Sequence, residues 1–572
     1  MADGDGQATL AALRSALADD PGHVSSLTLM AQLAHASGSL ETACSLMQRA
    51  AQHDPENAKT LYTCGALLLA LDRLDEAEPP LKEAVRLDGQ LAEAAVALGN
   101  LSRARGLWSD AAGWYEQALR VRPSLSEVET NLGAVKLSQG EQDAAIRHHR
   151  NAIDLKPDFD LAHHNLLLSL HYSDAIPAVD VFDAHRRWGI AAETAITPLS
   201  LMATADDPDH PIRLGFVSPD FNNHPVSQFF LSYLLGRKGG VGSVTLYSAS
   251  AKKDQITKAL MENCDTFRQV EKLTDADLAK TVRDDRIDIL VDLSGHTAGT
   301  RIKAFAFQPA PVQATWIGYP DTTGLSRVGY RLTDDVADPA GEADGLATET
   351  LIRLPGGFLC YHPSDDAPDV MEKPVDGRPV TFASFNNLSK VTADAVALWA
   401  EILSRVPDSR LMIKARSLND DPTCDRLLNR FVGLGIAPDR IDIRRHTVGM
   451  AAHYGTFNDV DIALDTFPYN GTTTTCDALW MGVPVVSLLG DRHAGRVSAS
   501  FLKRLDLDDW IAASPKNYVD IAVSAASNRD GLSVLQRSLR ARMAASSLVD
   551  CESFAKNIDA AFRTMWRMAC TD

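Results

Sequence analysis

The sequence has no Cys-x-x-Cys pair, no local cluster of cysteine with histidine, no dense run of lysine and arginine, and no apolar stretch approaching the ~18 residues of a membrane span. Each absence excludes something. The eight cysteines are scattered, so neither a disulfide framework nor a cysteine-held zinc site is signalled, and a reducing compartment fits. With 56 Lys+Arg against 75 Asp+Glu the net charge is −19, which disfavours nucleic acid as a partner because that binding rests on neutralising phosphates. The first twenty residues carry acid where a secretory signal carries base, and they lack an apolar core. A cytoplasmic protein without a membrane anchor is the expectation. At 45% hydrophobic and 23% charged residues, the composition is that of an ordinary globular chain, and 572 residues imply several domains.

What is present begins with a repeat. Cutting the chain every 34 residues from position 24 aligns Ala31, Gly65, Gly99 and Gly133 in one column. Ala43, Ala77, Ala111 and Ala145 fall in a second, Ala50, Ala84, Ala118 and Ala152 in a third, and Pro55, Gly89, Pro123 and Pro157 in a fourth. Small residues at these places let two antiparallel helices approach closely, and a terminal proline ends the second helix before the next unit starts. The period and pattern resemble the tetratricopeptide repeat, with four repeats from about residue 24 and a partial fifth at 159–174. Such a helical solenoid over 1–195 offers a groove to extended peptides.

From residue 196 short β-rich runs alternate with helical stretches. The runs Ile212–Val217, Ser243–Ser248, Ile287–Leu293 and Pro311–Trp316 form one series. Val380–Phe385, Arg410–Lys414, Ile441–Ile443, Ile462–Leu464 and Val483–Leu488 form another. Strands separated by helices imply parallel sheets covered on both faces, hence two doubly wound α/β domains, 196–375 and 376–572. Ligands of such folds sit beyond the carboxyl ends of the strands, so two facing domains create a cleft.

Several motifs fall at those strand ends. After Leu464 a loop with Pro468 and Gly471 leads into Thr472, Thr473, Thr474 and Thr475, which open a helix through Trp480. Orphan N–H groups at a helix start, flanked by hydroxyls, suit a phosphate or diphosphate, and Asp477 in the first turns suits a ribose. After Phe385 come Asn386, Asn387 and Lys390: two neutral donors and the positive charge a departing diphosphate requires. In the first series, Val217 leads to His224, whose imidazole can take a proton or hold a substrate hydroxyl. Leu293 leads to His296 between Gly295 and Thr297, and Trp316 to Gly318 and Pro320, a turn that lets backbone approach a sugar. No carboxylate-rich motif calls for a metal ion, and no cofactor is expected.

The motifs Asp220–Pro225, Gln308–Gln313, Trp316–Pro320, Phe385–Lys390 and Asp465–Trp480, in this order behind tetratricopeptide repeats, resemble the O-linked N-acetylglucosamine transferase family, its bacterial short-repeat members above all. The resemblance implies a GT-B fold of two facing Rossmann-like domains, with the last helix packing back on the first. It also implies an inverting, metal-independent glycosyltransferase that moves GlcNAc from UDP-GlcNAc to Ser or Thr hydroxyls of proteins recruited by the repeats. His224 matches the family's active-site histidine and Lys390 the lysine that stabilises the UDP leaving group. Asn387 stands where animal members have Gln, and Thr472, Thr473, Thr474 and Asp477 match the phosphate- and ribose-contacting segment. His453 matches a histidine packed against the uracil, and Gly318 with Pro320 the turn that contacts the sugar. Ser389 replaces an aromatic residue and Thr472 a histidine of the animal members. Plant relatives of the same architecture use GDP-fucose, so another nucleotide sugar, a non-protein acceptor and a catalytically weak repeat scaffold are the alternatives. The proton of the acceptor hydroxyl goes to His224, to the α-phosphate or along a water chain.

Overall fold

The computed structural model describes residues 2–200, 207–364, 366–373, 378–447 and 449–571. The expected boundary at 375/376 lies outside the described residues. The chain divides into two compact units, Met1–Ala162 with Asn419–Thr423, and His163–Leu418 with Cys424–Asp572. The helix Ala178–Ala195, grouped with the solenoid on sequence grounds, thus belongs to the second unit.

In the first unit, helices begin at Val24, Ala58, Ala92 and Ser126, and their partners at Leu40, Leu74, Trp108 and Gln142, so the 34-residue period is kept in three dimensions. The small-residue column has a direct cause. A Cβ on Gly65 would lie 2.5 Å from Leu81, on Gly99 2.4 Å from Tyr115, and on Gly133 2.5 Å from His149. Each glycine therefore receives one large side chain from the second helix of its own repeat, and Leu81, Tyr115 and His149 are all fully buried. The alanines at 43, 77, 111 and 145 are also fully buried, where any larger side chain would push the helices apart. Gly99→Val should overpack this contact and lower stability by about 1–3 kcal/mol. A reduced urea midpoint for the first unit checks it; an unchanged midpoint would mean that the helix pair opens freely.

The second unit holds two parallel sheets. Strands β1 (Leu214–Ser218), β2 (Val244–Ser248), β3 (Thr266–Gln269), β4 (Ile289–Asp292), β5 (Val312–Thr315), β6 (Tyr330–Thr333) and β7 (Thr350–Arg353) assemble in the order β3-β2-β1-β4-β5-β6-β7. Strands β8 (Thr381–Ser384), β9 (Arg410–Lys414), β10 (Ile441–Arg444), β11 (Ile462–Leu464), β12 (Val485–Leu488) and β13 (Ile511–Ala512) assemble as β10-β9-β8-β11-β12-β13. All pairings are parallel. Most strands foreseen from sequence are apolar ones buried on both faces, such as β1 and β4, although the partly exposed edge strand β10 is foreseen too. Those missed are the exposed edge strand β3, β6 and β7 with an arginine each, and the two-residue β13.

One hydrophobic core runs through both sheets' surroundings, joining Phe216, Phe230 and Trp316 to Cys476, Leu479, Phe501 and Phe562. The last helix, Cys551–Thr571, contributes Phe562, whose ring lies 6.0 Å from Phe216, and Asp559, which accepts the Tyr233 hydroxyl at 2.7 Å. It thus packs on the first sheet, where the chain's other end of the α/β region began. All eight cysteines are thiols, with Cys360 and Cys551 sulfurs 3.8 Å apart. Among the described residues no helix is long and apolar enough to cross a membrane.

Candidate active site

The carboxyl ends of β8 and β11 bring two sequence motifs together. The loop after β11 is pinned from within: Asp465, buried, accepts the amides of Thr466 at 2.9 Å and Gly471 at 2.7 Å and the Ser487 hydroxyl at 2.8 Å. The helix Thr473–Trp480 follows, and the hydroxyl of its first flanking residue, Thr472, makes no capping bond. Its leading amides, which have no partners within the helix, are therefore not consumed by that side chain. Instead the threonines are spent on fixing the loop: Thr474 donates to Asn386 Oδ1 at 3.0 Å and Thr475 meets Ser498 at 3.0 Å.

Lys390 reaches this helix start from the short 3-10 turn Leu388–Lys390 after β8. Its ammonium donates to the Asn470 carbonyl at 2.7 Å and lies 4.0 Å from the centre of the Tyr469 ring. Desolvation by its surroundings lowers its pKa to about 8, against which Asp465 acts only partly. The Tyr469 ring stacks in turn on Tyr172 at 5.1 Å. A cation, a helix start and the Asn386 carboxamide thus converge, an arrangement that can hold and stabilise a diphosphate. Asn386 is buried in it, whereas Asn387 is exposed.

A second group adjoins the first along the same helix. His453 Nε2 is 3.7 Å from Asp477 Oδ2, and Asp477 accepts the hydroxyls of Tyr361 at 2.6 Å and Tyr454 at 3.2 Å. Asp477 is therefore already engaged by two phenols, which orient its carboxylate towards the imidazole. Lys414, absent from the sequence-based candidates, ends β9 and donates to His453 Nδ1 at 3.2 Å and to Thr447 at 2.9 Å. Because the lysine can only donate, His453 Nδ1 accepts and Nε2 carries the proton that faces Asp477. Burial lowers the Lys414 pKa, with Arg444 adding to the effect. The signal was available: a lysine closing an apolar strand of a doubly wound sheet sits at the ligand-binding rim.

On the first sheet, His224 lies in the loop after β1 and starts the helix Pro225–Gly236, its Nδ1 accepting the Val226 amide at 3.3 Å. Asp220 Oδ2 is 3.6 Å from the same nitrogen, outside hydrogen-bond range. Burial holds the imidazole below its ordinary pKa, opposed by Asp220 and aided by Lys252. The ring is thus neutral near pH 7 with its proton on Nε2.

The remaining first-sheet candidates are placed differently from the expectation. His296 is 1% exposed: its Nε2 donates to the Thr323 carbonyl at 2.9 Å and its Nδ1 meets His164 Nδ1 at 2.8 Å. Trp188, His185 and Tyr319 pack around it. With both ring nitrogens used and no solvent face, it is a packing residue and does not line the rim. Pro320 is buried as well. Gly318 is required by close approach, since a Cβ there would sit 1.8 Å from the Leu293 carbonyl oxygen. The preceding Ile317 is held at φ 67°, a conformation costly for a β-branched residue, so this turn is kept in shape by its surroundings.

The family model for glycosyl transferase family 41 matches residues 190–378 and 373–558. The chain belongs to glycosyl transferase family 41. A tetratricopeptide-repeat model matches residues 94–129 of this family 41 member. It is 39% identical over 414 residues to the probable UDP-N-acetylglucosamine–peptide N-acetylglucosaminyltransferase SPINDLY of Solanum lycopersicum, covering 72% of this chain and 44% of that protein. To the SEC protein of Arabidopsis thaliana, described in the same enzymatic terms, it is 32% identical over 379 residues, or 63% of this chain and 38% of the relative. The chain thus spans less than half the length of the plant relatives it matches. Among solved structures, a mutant O-GlcNAc transferase of Thermobaculum terrenum superposes with a TM-score of 0.83 at 34% identity, over 90% of this chain and 98% of the other. The family 41 fold, a helical repeat region followed by two Rossmann-like domains, agrees with the architecture read from sequence.

Proposed function

We propose that this chain transfers N-acetylglucosamine from UDP-GlcNAc to Ser and Thr hydroxyls of polypeptides, with inversion at the anomeric carbon and no metal ion at the diphosphate. The convergence of Lys390 with the start of the helix Thr473–Trp480 carries the reading. The acceptor hydroxyl oxygen forms a bond to the anomeric carbon on the face opposite UDP; the bond to UDP breaks, its electron pair goes to the diphosphate, and the hydroxyl proton passes to a phosphate oxygen of the departing UDP, directly or through water. Lys390 and the helix amides neutralise that charge. Thr472, Thr473 and Thr474 surround the phosphates, Asn386 holds the threonine loop, and His453 with Asp477 meets the nucleoside. The activities for which the SPINDLY and SEC relatives and the Thermobaculum protein are named support GlcNAc as the sugar.

His224 acts by position in this reading. With Nδ1 engaged by the Val226 amide, its free nitrogen is a donor, suited to orient the acceptor or the donor's oxygens; accepting a proton would require giving up that cap. The repeats supply a peptide groove. Incubation with labelled UDP-GlcNAc and GDP-fucose, each with cell lysate and without added Mg²⁺ or Mn²⁺, tests the proposal. Label entering protein from UDP-GlcNAc, with β-linked product, is expected. Transfer only from GDP-fucose, or only to small acceptors, would replace it.

A further inference from the structure

We infer that His171, His185 and Asp321 form a divalent-metal site of the kind that holds zinc(II), acting as a staple beneath the catalytic unit and taking no part in the transfer. One ligand atom from each of the three lies within 4.8 Å of the others, and His171 Nε2 is 3.5 Å from Asp321 Oδ2. Ligands ~2.0–2.1 Å from a tetrahedral ion stand roughly 3.3 Å apart, so the His171–Asp321 pair is already at ligand spacing and His185 would close by up to about 1.5 Å.

The decisive observation is His171. It is fully buried, and neither ring nitrogen has a hydrogen-bond partner. A neutral imidazole always carries one donor and one acceptor, and burying both unpaired is the kind of exception that an ion or water accounts for. His185 is prepared in the way metal-bound histidines are. Its Nδ1 donates to the Val181 carbonyl at 2.7 Å, so its Nε2 carries the lone pair; that nitrogen accepts the Tyr319 hydroxyl at 2.7 Å, a bond the ion would replace. The neighbouring His164–His296 pair is satisfied internally and is not needed as a ligand. The nearby guanidinium groups oppose an ion, yet each stands by a carboxylate: Arg331 is 3.6 Å from Asp338 and Arg492 3.0 Å from Asp491.

The site ties three segments together: the end of the helix Asp160–Leu170, the helix Ala178–Ala195, and the turn after β5. Its effect would reach the active site through the next residue, Tyr172, whose ring stacks on Tyr469 under the Lys390 ammonium. The full chain, stripped with chelator and then titrated with Zn²⁺, should bind one equivalent and melt at a higher temperature. Co²⁺ should give the visible ligand-field bands of a four-coordinate N/O site. Asp321→Asn and His171→Gln should weaken Zn²⁺ binding by about 100-fold or more. If those variants fail to fold, the wild-type titration and the Co²⁺ spectrum still decide. Less than a tenth of an equivalent of zinc, or no change in melting between zinc and chelator, overturns the site. Undiminished binding by Asp321→Asn overturns it equally, by placing the ion elsewhere.

Discussion

Replacing Lys390 by Ala is expected to reduce transfer by about 10²–10³-fold, the scale of losing one donor aimed at developing negative charge. The ammonium is held by the Asn470 carbonyl and the Tyr469 ring, neither of which can neutralise a diphosphate in its place. The loss should fall on kcat, because the charge it meets grows as the bond to the nucleotide breaks. Circular dichroism and thermal melting should be nearly unchanged, since removing a desolvated cation takes away a group that burial disfavours.

The same lysine predicts a pH dependence with a definite sign. Burial lowers it to about 8, so kcat/KM, which reports the free enzyme, should fall as pH rises past that value and the ammonium loses its proton. Bound diphosphate favours the charged form, so the corresponding limb in kcat should lie at higher pH. Lys390→Arg should remove the limb from the accessible range, because the guanidinium keeps its proton. A kcat/KM profile flat to pH 9.5 in the wild type, measured in steps of roughly half a unit around the shifted value, or normal turnover by the alanine variant, would remove Lys390 from the chemistry.

The second large effect is at His224, where two roles have to be separated. Its Nδ1 caps the helix Pro225–Gly236, while its remaining nitrogen serves the reaction. His224→Ala should therefore cost about 0.5–2 kcal/mol of stability as a lost cap and about 10²-fold or more in transfer. Asparagine is among the best capping residues, so His224→Asn should restore the stability and leave transfer impaired. UDP binding, measured calorimetrically, should be unaffected in both. Because burial keeps the imidazole below its ordinary value, wild-type kcat/KM should be level near neutrality and fall only as acid protonates Nδ1 and breaks the Val226 cap that positions the ring. That acid limb should vanish in His224→Asn. Recovery of transfer by the asparagine variant would reduce His224 to a cap.

Much of this molecule is legible without coordinates because its strongest signals are local. A 34-residue period of small residues can persist only if each repeat packs its two helices the same way, and Gly65, Gly99 and Gly133 each receive the side chain sixteen residues on. Strands β1, β4 and β8 are covered on both faces and so read as continuous apolar runs. The loops that follow such strands lie at one rim by topology alone, which is why Lys390, His224 and the Thr472–Thr475 run could be singled out.

Tertiary structure decided which of those rim residues face one another. Lys390 and Asn470 are 80 positions apart, and Asp477 is held by Tyr361, 116 positions away. Nothing local in the sequence encodes such pairs: the first depends on β8 and β11 lying side by side in one sheet, the second on how the segment after β7 packs against the helix that follows β11. His296 and His224 occupy equivalent loops after β4 and β1, yet helices from before the first sheet bury one and leave the other partly open. The same helices bring His171 and His185 to Asp321, although sequence spacing gave no metal pattern. The sequence by itself determined the repeat, the two sheets and the rim that carries the chemistry. Long-range packing determined which side chains on that rim are free to act, since burial and pairing are properties of surroundings that a chain acquires only on folding.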